Sequence, residues 1–237
     1  MKRTAFLLSA LFYLLSCRMV NISNDILSTS SEDFVLAPGG TLSFSNTNGD
    51  TELNEWSEDF IRVETRIYGD SCRGIPEDLR ILTEEGNNEL AFSVEYPGGL
   101  SYNSVDYEVS IPENSGFHIN CETVNGSTTI NAEAHVFVES VNGDILVKAL
   151  SSRGLLAVNG DIHAELSRQA GDLSVETVNG DILIKLPGEV GLNVETVNGD
   201  LMIRGQSYSS SVSIPGTLEA VASIETVLGD ITLEDLI

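Results

Sequence analysis

The sequence is poor in basic residues, aromatic residues and cysteines. Twelve lysines and arginines stand against 36 aspartates and glutamates, so the formal net charge is −24 at pH 7. Such a surface repels nucleic acids and anionic lipid headgroups, so we expect no nucleic-acid partner. Aromatic residues make up 6% of the chain, and its three cysteines are too few for a disulfide-rich scaffold.

Recognisable catalytic and metal-binding motifs are also missing from the sequence. It contains no G-x-S-x-G, H-E-x-x-H or Walker sequence, no EF-hand loop and no Cys/His spacing typical of zinc sites. We therefore predict that the protein is not an enzyme, and we assign no catalytic residue, no metal ligand and no cofactor.

An apolar run at the N-terminus is too short to span a bilayer. The segment "MKRTAFLLSALFYLLSC" starts with two basic residues, stays uncharged through Ser16 and ends at Cys17, the pattern of an export signal. Its end, "LLSC", resembles a bacterial lipobox, which implies cleavage before Cys17 and acylation of that thiol. Removing residues 1–16 leaves ten basic residues against 36 acidic ones, a net charge of −26.

A tether is expected to follow the signal peptide, over residues 17–33. The polar segment after Cys17 would reach roughly 20–24 Å as a flexible chain, which keeps the folded part close to the membrane. We expect an exported, lipid-anchored protein at the periplasmic face or cell surface, in the outer membrane if the cell is Gram-negative. An ordinary signal peptide with an incidental cysteine is the alternative.

The rest of the chain is dominated by a repeat related to "ETVNGDIL". Six copies are separated by 17, 17, 20, 19 and 30 residues, spacings close to those of repeat arrays. A looser copy occurs upstream at Asn48-Gly49-Asp50. The predicted structural turn residues are Gly49, Gly126, Gly143, Gly160, Gly180, Gly199 and Gly229.

Residue types recur at fixed positions around each glycine. The fifth residue before it is apolar, the fourth is acidic in all copies but one, and the third is small. Apolar residues also dominate the second and fourth positions after the glycine. This period-two alternation predicts two short strands per repeat. The Asn-Gly pair is expected because a sharp turn requires positive φ angles, which these residues tolerate.

Asn-Gly turns are also typical of β-hairpins, so an antiparallel meander or barrel is the alternative fold. A hairpin at Gly180 would place Val178 on the wet face beside Asp181, and valine fills this position in all six copies. In a β-solenoid that valine can point inward, while equivalent residues stack about 4.8 Å apart in parallel strands. We predict an all-β, single-stranded parallel β-solenoid.

The predicted domain has two parts. Residues 34–116 are expected to form irregular N-terminal coils, and residues 117–237 the regular V-N-G-D coils of the same β domain. The segments 69–88 and 205–220 interrupt the repeat and are expected to be loops, where interaction sites often lie.

Three stretches resemble a known family: "TLSFSNTNGDTELNEW", "VDYEVSIP" and the repeated "TVNGDI". They are similar to the bacterial putative-adhesin family of β-strand repeat proteins, a domain of unknown function. The resemblance covers roughly residues 40–237. It implies a β-solenoid, often exported or membrane-tethered, and it implies no characterised catalytic residues.

Stacked carboxylates and stacked histidines are the candidate metal sites. The aspartates after the glycines form one predicted column, in which a neighbouring pair costs up to about 1 kcal/mol in water. A backbone N–H donated to each carboxylate recovers a comparable amount, so the column needs no metal. His118 and His135 both lie eight residues before their glycines and should stack as an exposed pair, with Ser152 at that position in the next coil.

Cys121 lies in the predicted apolar column and is expected to be buried. A disulfide bond between Cys121 and Cys72 is the alternative, because an exported protein meets oxidising conditions.

We predict a structural or adhesin-like interaction module of the cell envelope whose partner is an unidentified envelope or surface protein or polysaccharide. One alternative is a carbohydrate-active β-helix enzyme, although from residue 117 onward the only aromatic residues are Phe117, Phe137 and Tyr208. A calcium-binding surface protein is the other alternative.

Overall fold

The computed structural model describes residues 25–70, 74–77, 79–96, 103–169 and 171–236. These residues form β-strands and no α-helix, and none of them belongs to a helix long and apolar enough to cross a membrane. In chain order the strands are β1 (Asp25–Phe34), β2 (Thr41–Asn48), β3 (Thr51–Trp56), β4 (Ile61–Gly69), β5 (Arg80–Glu85), β6 (Glu89–Glu95), β7 (Ser104–Pro112), β8 (His118–Asn125), β9 (Thr128–Asn131), β10 (His135–Asn142), β11 (Ile145–Ala149), β12 (Ser151–Asn159), β13 (Ile162–Leu166), β14 (Leu173–Asn179), β15 (Ile182–Leu186), β16 (Gly191–Asn198), β17 (Leu201–Ile203), β18 (Gln206–Tyr208), β19 (Ser211–Ile214), β20 (Val221–Leu228) and β21 (Ile231–Asp235).

The strands form two sheets that enclose one hydrophobic core. The 11-stranded sheet has the order β1-β4-β7-β3-β9-β11-β13-β15-β21-β17-β18, and the 10-stranded sheet has the order β19-β16-β20-β14-β12-β10-β8-β2-β6-β5. Most neighbouring strands are parallel. The antiparallel meander or barrel is therefore not supported, and the all-β, mostly parallel architecture is confirmed.

Each regular repeat contributes one strand to each sheet and so makes one coil, which we name by its glycine. The strand before the glycine joins the 10-stranded sheet and the strand after it joins the 11-stranded sheet. Neighbouring coils pair in register, so that Cys121 lies opposite Val138 and Asn125 lies opposite Asn142. Equivalent positions of the repeat therefore touch, as the predicted columns require.

The last two coils do not stack in sequence order. Strand β20 pairs with both β14 and β16, and β21 pairs with both β15 and β17. The Gly229 coil thus lies between the Gly180 and Gly199 coils. Stacking in sequence order would make Val178 and Val197 neighbours, but a whole strand separates them.

Antiparallel strands close both ends of both sheets. Strands β1 and β18 are the edges of the 11-stranded sheet, and β5 and β19 are the edges of the 10-stranded sheet. Strands β5, β18 and β19 each pair with backbone groups that the last parallel strand leaves open, whereas β1 pairs with β4, which is itself antiparallel to β7. The two segments predicted as loops, 69–88 and 205–220, therefore contain edge strands.

Strand β1 also corrects the predicted tether. Residues 25–33 of the 17–33 segment pair with β4 along nearly their whole length. Backbone groups at the edge of a sheet need partners, and this segment supplies them. The rest of the predicted tether, together with the predicted signal peptide at residues 1–16 and the acylation site Cys17, lies outside the described residues.

The core contains the predicted apolar columns. All six residues five positions before the glycines are buried, and so are all six residues four positions after them. The N-terminal end of the core is aromatic, since Phe44 stacks on Phe92 with ring centroids 5.2 Å apart and Phe34 meets Phe92 edge-on. The regular coils are filled by Ile, Val, Leu and Ala instead.

The valine column does not point into the core, contrary to prediction. The strand before the turn continues through the asparagine, as in β14, which ends at Asn179. Strict alternation therefore turns Thr177 inward and Val178 outward. Val197 is 62% exposed and Val227 is 42% exposed, and of this column only Val158 is buried.

Candidate functional site

The asparagines of the repeat form a hydrogen-bonded ladder along the turns. The side-chain amide of Asn125 donates to Oδ1 of Asn48 at 2.8 Å, and the amide of Asn142 donates to Oδ1 of Asn125 at 2.9 Å. Asn159 and Asn179 continue the series at 2.8 Å each. Each of these hydrogen bonds joins one coil to the next, so the asparagine side chains hold the stack together.

The aspartates that follow the glycines form a second ladder. The backbone N–H of Asp181 donates to Oδ1 of Asp161 at 2.8 Å, and the N–H of Asp230 donates to Oδ1 of Asp181 at 2.8 Å. The N–H of Asp200 reaches Asp230 at 2.7 Å in the same way. These carboxylates are thus used as backbone acceptors. Among the described residues no group of three or more His, Cys, Asp or Glu side chains could hold a metal ion.

The small residue three positions before each glycine faces inward, and three of the threonines in this column cap a neighbouring coil. The hydroxyl of Thr177 donates to the carbonyl oxygen of Gly160 at 3.2 Å, and Thr196 donates to Gly229 at 3.2 Å. Thr226 donates to the carbonyl of Gly180 in the same way at 3.3 Å. The column of small residues therefore bridges coils as the two ladders do.

The turn glycines are required by close packing more than by their φ angles. Positive φ values occur at Gly49 and Gly229, at 122° and 149°, but not at the five other turn glycines of the repeat. At every one of the seven, a Cβ atom would lie less than 3.0 Å from a backbone carbonyl of the neighbouring coil. The predicted reason, backbone conformation, was therefore wrong for most of these positions.

A row of glutamates covers the outer face of the 10-stranded sheet. Glu176, Glu225 and Glu195 lie side by side in neighbouring strands. Burial, and then the nearby Glu122, raise the pKa of Glu139. The row is a strongly acidic surface and not a cavity.

The remaining cysteine and histidine predictions have mixed outcomes. Cys121 is free and buried, and burial raises the pKa of its thiol to about 12. Cys72 lies outside the described residues. His118 and His135 stack with ring centroids 5.1 Å apart, as predicted. A bulge in the next coil, however, places Ser151 rather than Ser152 opposite His135.

A groove crosses the outer face of the 11-stranded sheet. It has a volume of about 380 Å³, and we call it the leucine groove. Its lining residues are Thr129, Ile130, Asn131, Leu146, Val147, Lys148, His163, Ala164, Glu165, Leu183 and Lys185. A second pocket of about 340 Å³ adjoins it and shares Asn131, Lys148 and Glu165.

The groove arises from two rows of the repeat. The third residue after each glycine gives an apolar row with Leu146, which is 42% exposed, His163 and Leu183. The fifth residue gives a charged row in which Lys148, Glu165 and Lys185 alternate in sign. Alternate residues of β11, β13 and β15 face outward, and equivalent residues lie side by side in neighbouring strands. The two rows therefore run across the strands.

The electrostatics of the groove do not suit acid catalysis. The ammonium group of Lys185 donates to Oε1 of Glu165 at 2.8 Å, which lowers the pKa of that carboxyl. A glycosidase needs an acid whose pKa is raised so that it holds a proton near neutral pH. Two carboxyls with raised pKa values, Asp106 and Glu139, do not line the groove.

The groove was not predicted from the sequence, because interaction sites were expected in the segments that interrupt the repeat. The sequence did contain a signal for the groove. Outward-facing positions of a regular β-repeat are normally polar, and here Leu146 and Leu183 occupy two such positions. An exposed leucine beside alternating lysine and glutamate is the pattern that would have identified the site.

Comparison with solved structures finds similar proteins at low identity. A putative cell adhesion protein from Clostridium sporogenes ATCC 15579 matches with a TM-score of 0.54 and 12% identity, over 88% of this chain and 100% of the other. A putative adhesin from Bacteroides fragilis NCTC 9343 matches with a TM-score of 0.40 and 11% identity, over 87% and 97% of the two chains. A search of curated proteins finds no match.

A family model for Toastrack DUF4097 matches residues 40–234, which include both sheets from β2 to β21 apart from the final residue of β21. This match agrees with the resemblance to adhesin-type repeat proteins, and it covers the stacked coils, the two ladders and the leucine groove. The chain therefore belongs to the Toastrack DUF4097 family.

Proposed function

We propose that the protein is a non-enzymatic, lipid-anchored module of the bacterial cell envelope that binds a surface polysaccharide or protein through the leucine groove. The observation that carries the proposal is the composition of this groove. An exposed leucine, Leu146, and a partly buried one, Leu183, lie beside lysines on a protein that is strongly acidic overall. The resemblance of the fold to a putative cell adhesion protein supports an interaction role.

The ladders support a non-enzymatic role. The asparagines, aspartates and small residues of the repeat are occupied in joining coils, so the most repeated polar groups of the chain are structural. What the coils present outward is a set of ordered rows whose members lie about 4.8 Å apart, which suits recognition of an extended ligand. The solenoid-like stack is then a rigid support for that surface.

Variants in the groove test the binding role. In a Cys17→Ala background, which removes the lipid anchor, Leu183→Glu combined with Leu146→Glu should abolish retention of the labelled protein on isolated envelopes, because two charges enter the apolar row. Met202→Glu is the matched control, since Met202 occupies the same row and is 45% exposed but does not line the groove. Equal retention of both variants would overturn the groove as the binding surface.

The lipid anchor and the lack of catalysis have separate tests. Cys17→Ala should move the protein from the membrane fraction to the soluble fraction, and persistence in the membrane fraction would contradict acylation at Cys17. Incubation with purified envelope polysaccharides should release no oligosaccharide. Release that is lost in a Glu165→Gln variant would instead favour the carbohydrate-active enzyme.

A further inference from the structure

A second cluster of residues lies on the outer face of the 10-stranded sheet and the adjoining turn after β13, on the opposite sheet from the groove. It comprises His118, His135, Phe137, Arg153 and Arg168, which we call the basic patch. Two guanidinium groups and two imidazoles gather here on a chain with a net charge of −24. At physiological ionic strength the distant carboxylates are screened beyond about 8 Å, so local groups decide what binds.

A β-bulge creates the patch. Val136 lies opposite Ser152 while the next residue, Phe137, lies opposite Gly154, so that Arg153 is an extra residue in β12. Bulges redirect side chains and are often found beside functional sites.

The bulge is held by a buried side chain from the connection between β13 and β14. Gln169 is 3% exposed, accepts from the backbone N–H of Ser152 at 3.0 Å and donates to its carbonyl oxygen at 2.8 Å. The hydroxyl of Ser152 donates to the carbonyl of Val136 at 3.0 Å and lies 3.1 Å from the N–H of Gly154, which donates to it. The extra residue is therefore fully integrated into the sheet, and its side chain starts from a fixed backbone.

An aromatic ring then orients the arginine. Phe137 lies across Gly154, where a Cβ atom would approach the ring to 2.7 Å. The guanidinium of Arg153 lies 4.7 Å from the Phe137 centroid and donates to Oδ1 of Asn120 at 3.1 Å. That hydrogen bond uses one of the five N–H donors of an arginine, so a preoriented fork remains for a ligand.

The imidazoles complete the cluster. Nδ1 of His135 lies 2.7 Å from Oγ of Ser151, which leaves Nε2 as the ring nitrogen for a further partner. Burial lowers the pKa of His135, and the neighbouring His118 and Arg168 lower it further. The like charges around this ring therefore oppose its protonation until an anion is present.

A few carboxylates lie on the same face of the sheet as the basic patch. On the same outward face, Glu122 and Glu139 lie four residues nearer the turn than the histidines of their own strands, and Glu133 precedes β10. Side chains four residues apart along a strand are separated by roughly 13 Å of backbone. The histidines are thus not neutralised by these acids at contact distance. Glu139 and Glu122 lie nearer to Arg153, since each is two residues along its strand, roughly 7 Å, from the Phe137 or Asn120 side chain that the guanidinium contacts.

We propose that the basic patch binds an oxyanion, the carboxylate of an acidic sugar or a phosphate group, with Arg153 as the main donor. The planar guanidinium fits two oxygens of such a group, and the imidazole Nε2 atoms add donors when protonated. Phe137 acts as a positioning residue, because it sets the plane of the guanidinium without contacting the anion.

The three histidines of the chain make a direct test available in the full-length protein. Proton NMR at about pH 6.5 and constant ionic strength would follow their Cε1–H signals while inorganic phosphate, or separately galacturonate, replaces chloride. The signals of His118 and His135 should move in a saturable way, whereas that of His163, on the other sheet, should not. Movement with only one of the two probes assigns the oxyanion to that source.

Variants separate binding from structure. Arg153→Gln should weaken binding about tenfold and Arg153→Lys by a smaller factor, because a lysine keeps the charge and loses the planar fork. Arg80→Gln on the edge strand β5 removes the same charge from the same sheet and should leave affinity unchanged. No saturable shift with either probe, equal movement of all three signals, or equal loss in the Arg153 and Arg80 variants would overturn the proposal.

Discussion

The carbonyl oxygen of Gly143 occupies the space that a Cβ atom on Gly160 would need. The same close approach occurs between each turn glycine and the coil beside it. The turns are therefore stacked too closely to admit a Cβ atom.

Replacing one of these glycines should loosen the stack. Gly160→Ala forces its coil away from the Gly143 coil and should lower the free energy of unfolding by about 2–4 kcal/mol. Gly171→Ala is the control, since a Cβ there meets nothing within 4 Å, and its effect should stay within about 0.5 kcal/mol. Urea denaturation gives both values, and a mild Gly160 variant would contradict steric stacking.

Two threonines at equivalent positions should respond differently to valine. Thr177→Val removes the hydrogen bond to Gly160 and should cost about 0.5–1.5 kcal/mol. Thr123 has a buried hydroxyl with no hydrogen-bond partner among the described residues, so Thr123→Val should be neutral or stabilising. Thermal denaturation of both variants checks this, and equal losses would show that the interstrand hydroxyl bond contributes nothing.

The asparagine ladder can be extended as well as broken. Leu228 lies between Asn179 and Asn198 in the stack and is 49% exposed. Leu228→Asn should therefore raise stability by up to about 1 kcal/mol, because it fills one ladder position and allows two ladder bonds. Asn142→Leu removes two ladder bonds and should lower stability by about 1–2 kcal/mol. A destabilised Leu228→Asn variant would contradict the ladder as a source of stability.

Engineered cysteine pairs can test the unusual order of the coils. Glu225 lies opposite both Glu176 and Glu195, which are two strands apart from each other. With Cys17 and Cys72 replaced by alanine, cysteine pairs at 176/225 and at 225/195 should oxidise to disulfides. The pair at 176/195 should not, because its Cα atoms lie about 10 Å apart, beyond disulfide reach. Mass spectrometry reads the outcome, and an efficient 176/195 bond would indicate stacking in sequence order.

The folded state should lose stability as the pH falls through the titration of His135. Its pKa lies below the ordinary value of 6.5 because of burial and of the nearby His118 and Arg168. The unfolded chain therefore takes up the proton first, and stability declines from neutral pH down to the folded pKa. Between about pH 7.5 and pH 5, the Tm of the His135→Gln variant should fall by less than the Tm of the unmodified protein. An identical Tm decrease in both proteins would contradict the shift.

Several features were predictable from the sequence because they follow from local alternation. The buried columns around Val138 and Ile145 and the stacking of His118 on His135 are confirmed. The inward valine was wrong because the strand continues to the asparagine, so the alternation stays intact and turns the valine outward. Glycine was predicted at the right positions, but mostly for the wrong reason. A glycine in the sequence does not show whether the position needs a positive φ angle or the absence of a Cβ atom.

The groove and the basic patch could not be predicted in the same way. Leu146 and Leu183 are far apart in sequence and meet only because β11, β13 and β15 lie side by side. Arg153 is brought onto Phe137 by a bulge, which adds one residue to a strand without changing the 17-residue spacing of the glycines.

By itself the sequence determined that the chain forms β-coils with equivalent residues in contact, because a period-two pattern repeated around glycine has few other ways to bury its apolar side chains. Only the tertiary structure decided which coil lies beside which. Near-identical repeats offer nearly identical pairing edges, so the long connection before Gly229 could place the last coil between two earlier ones, and the strands that close the sheets were decided by which backbone edges remained unpaired.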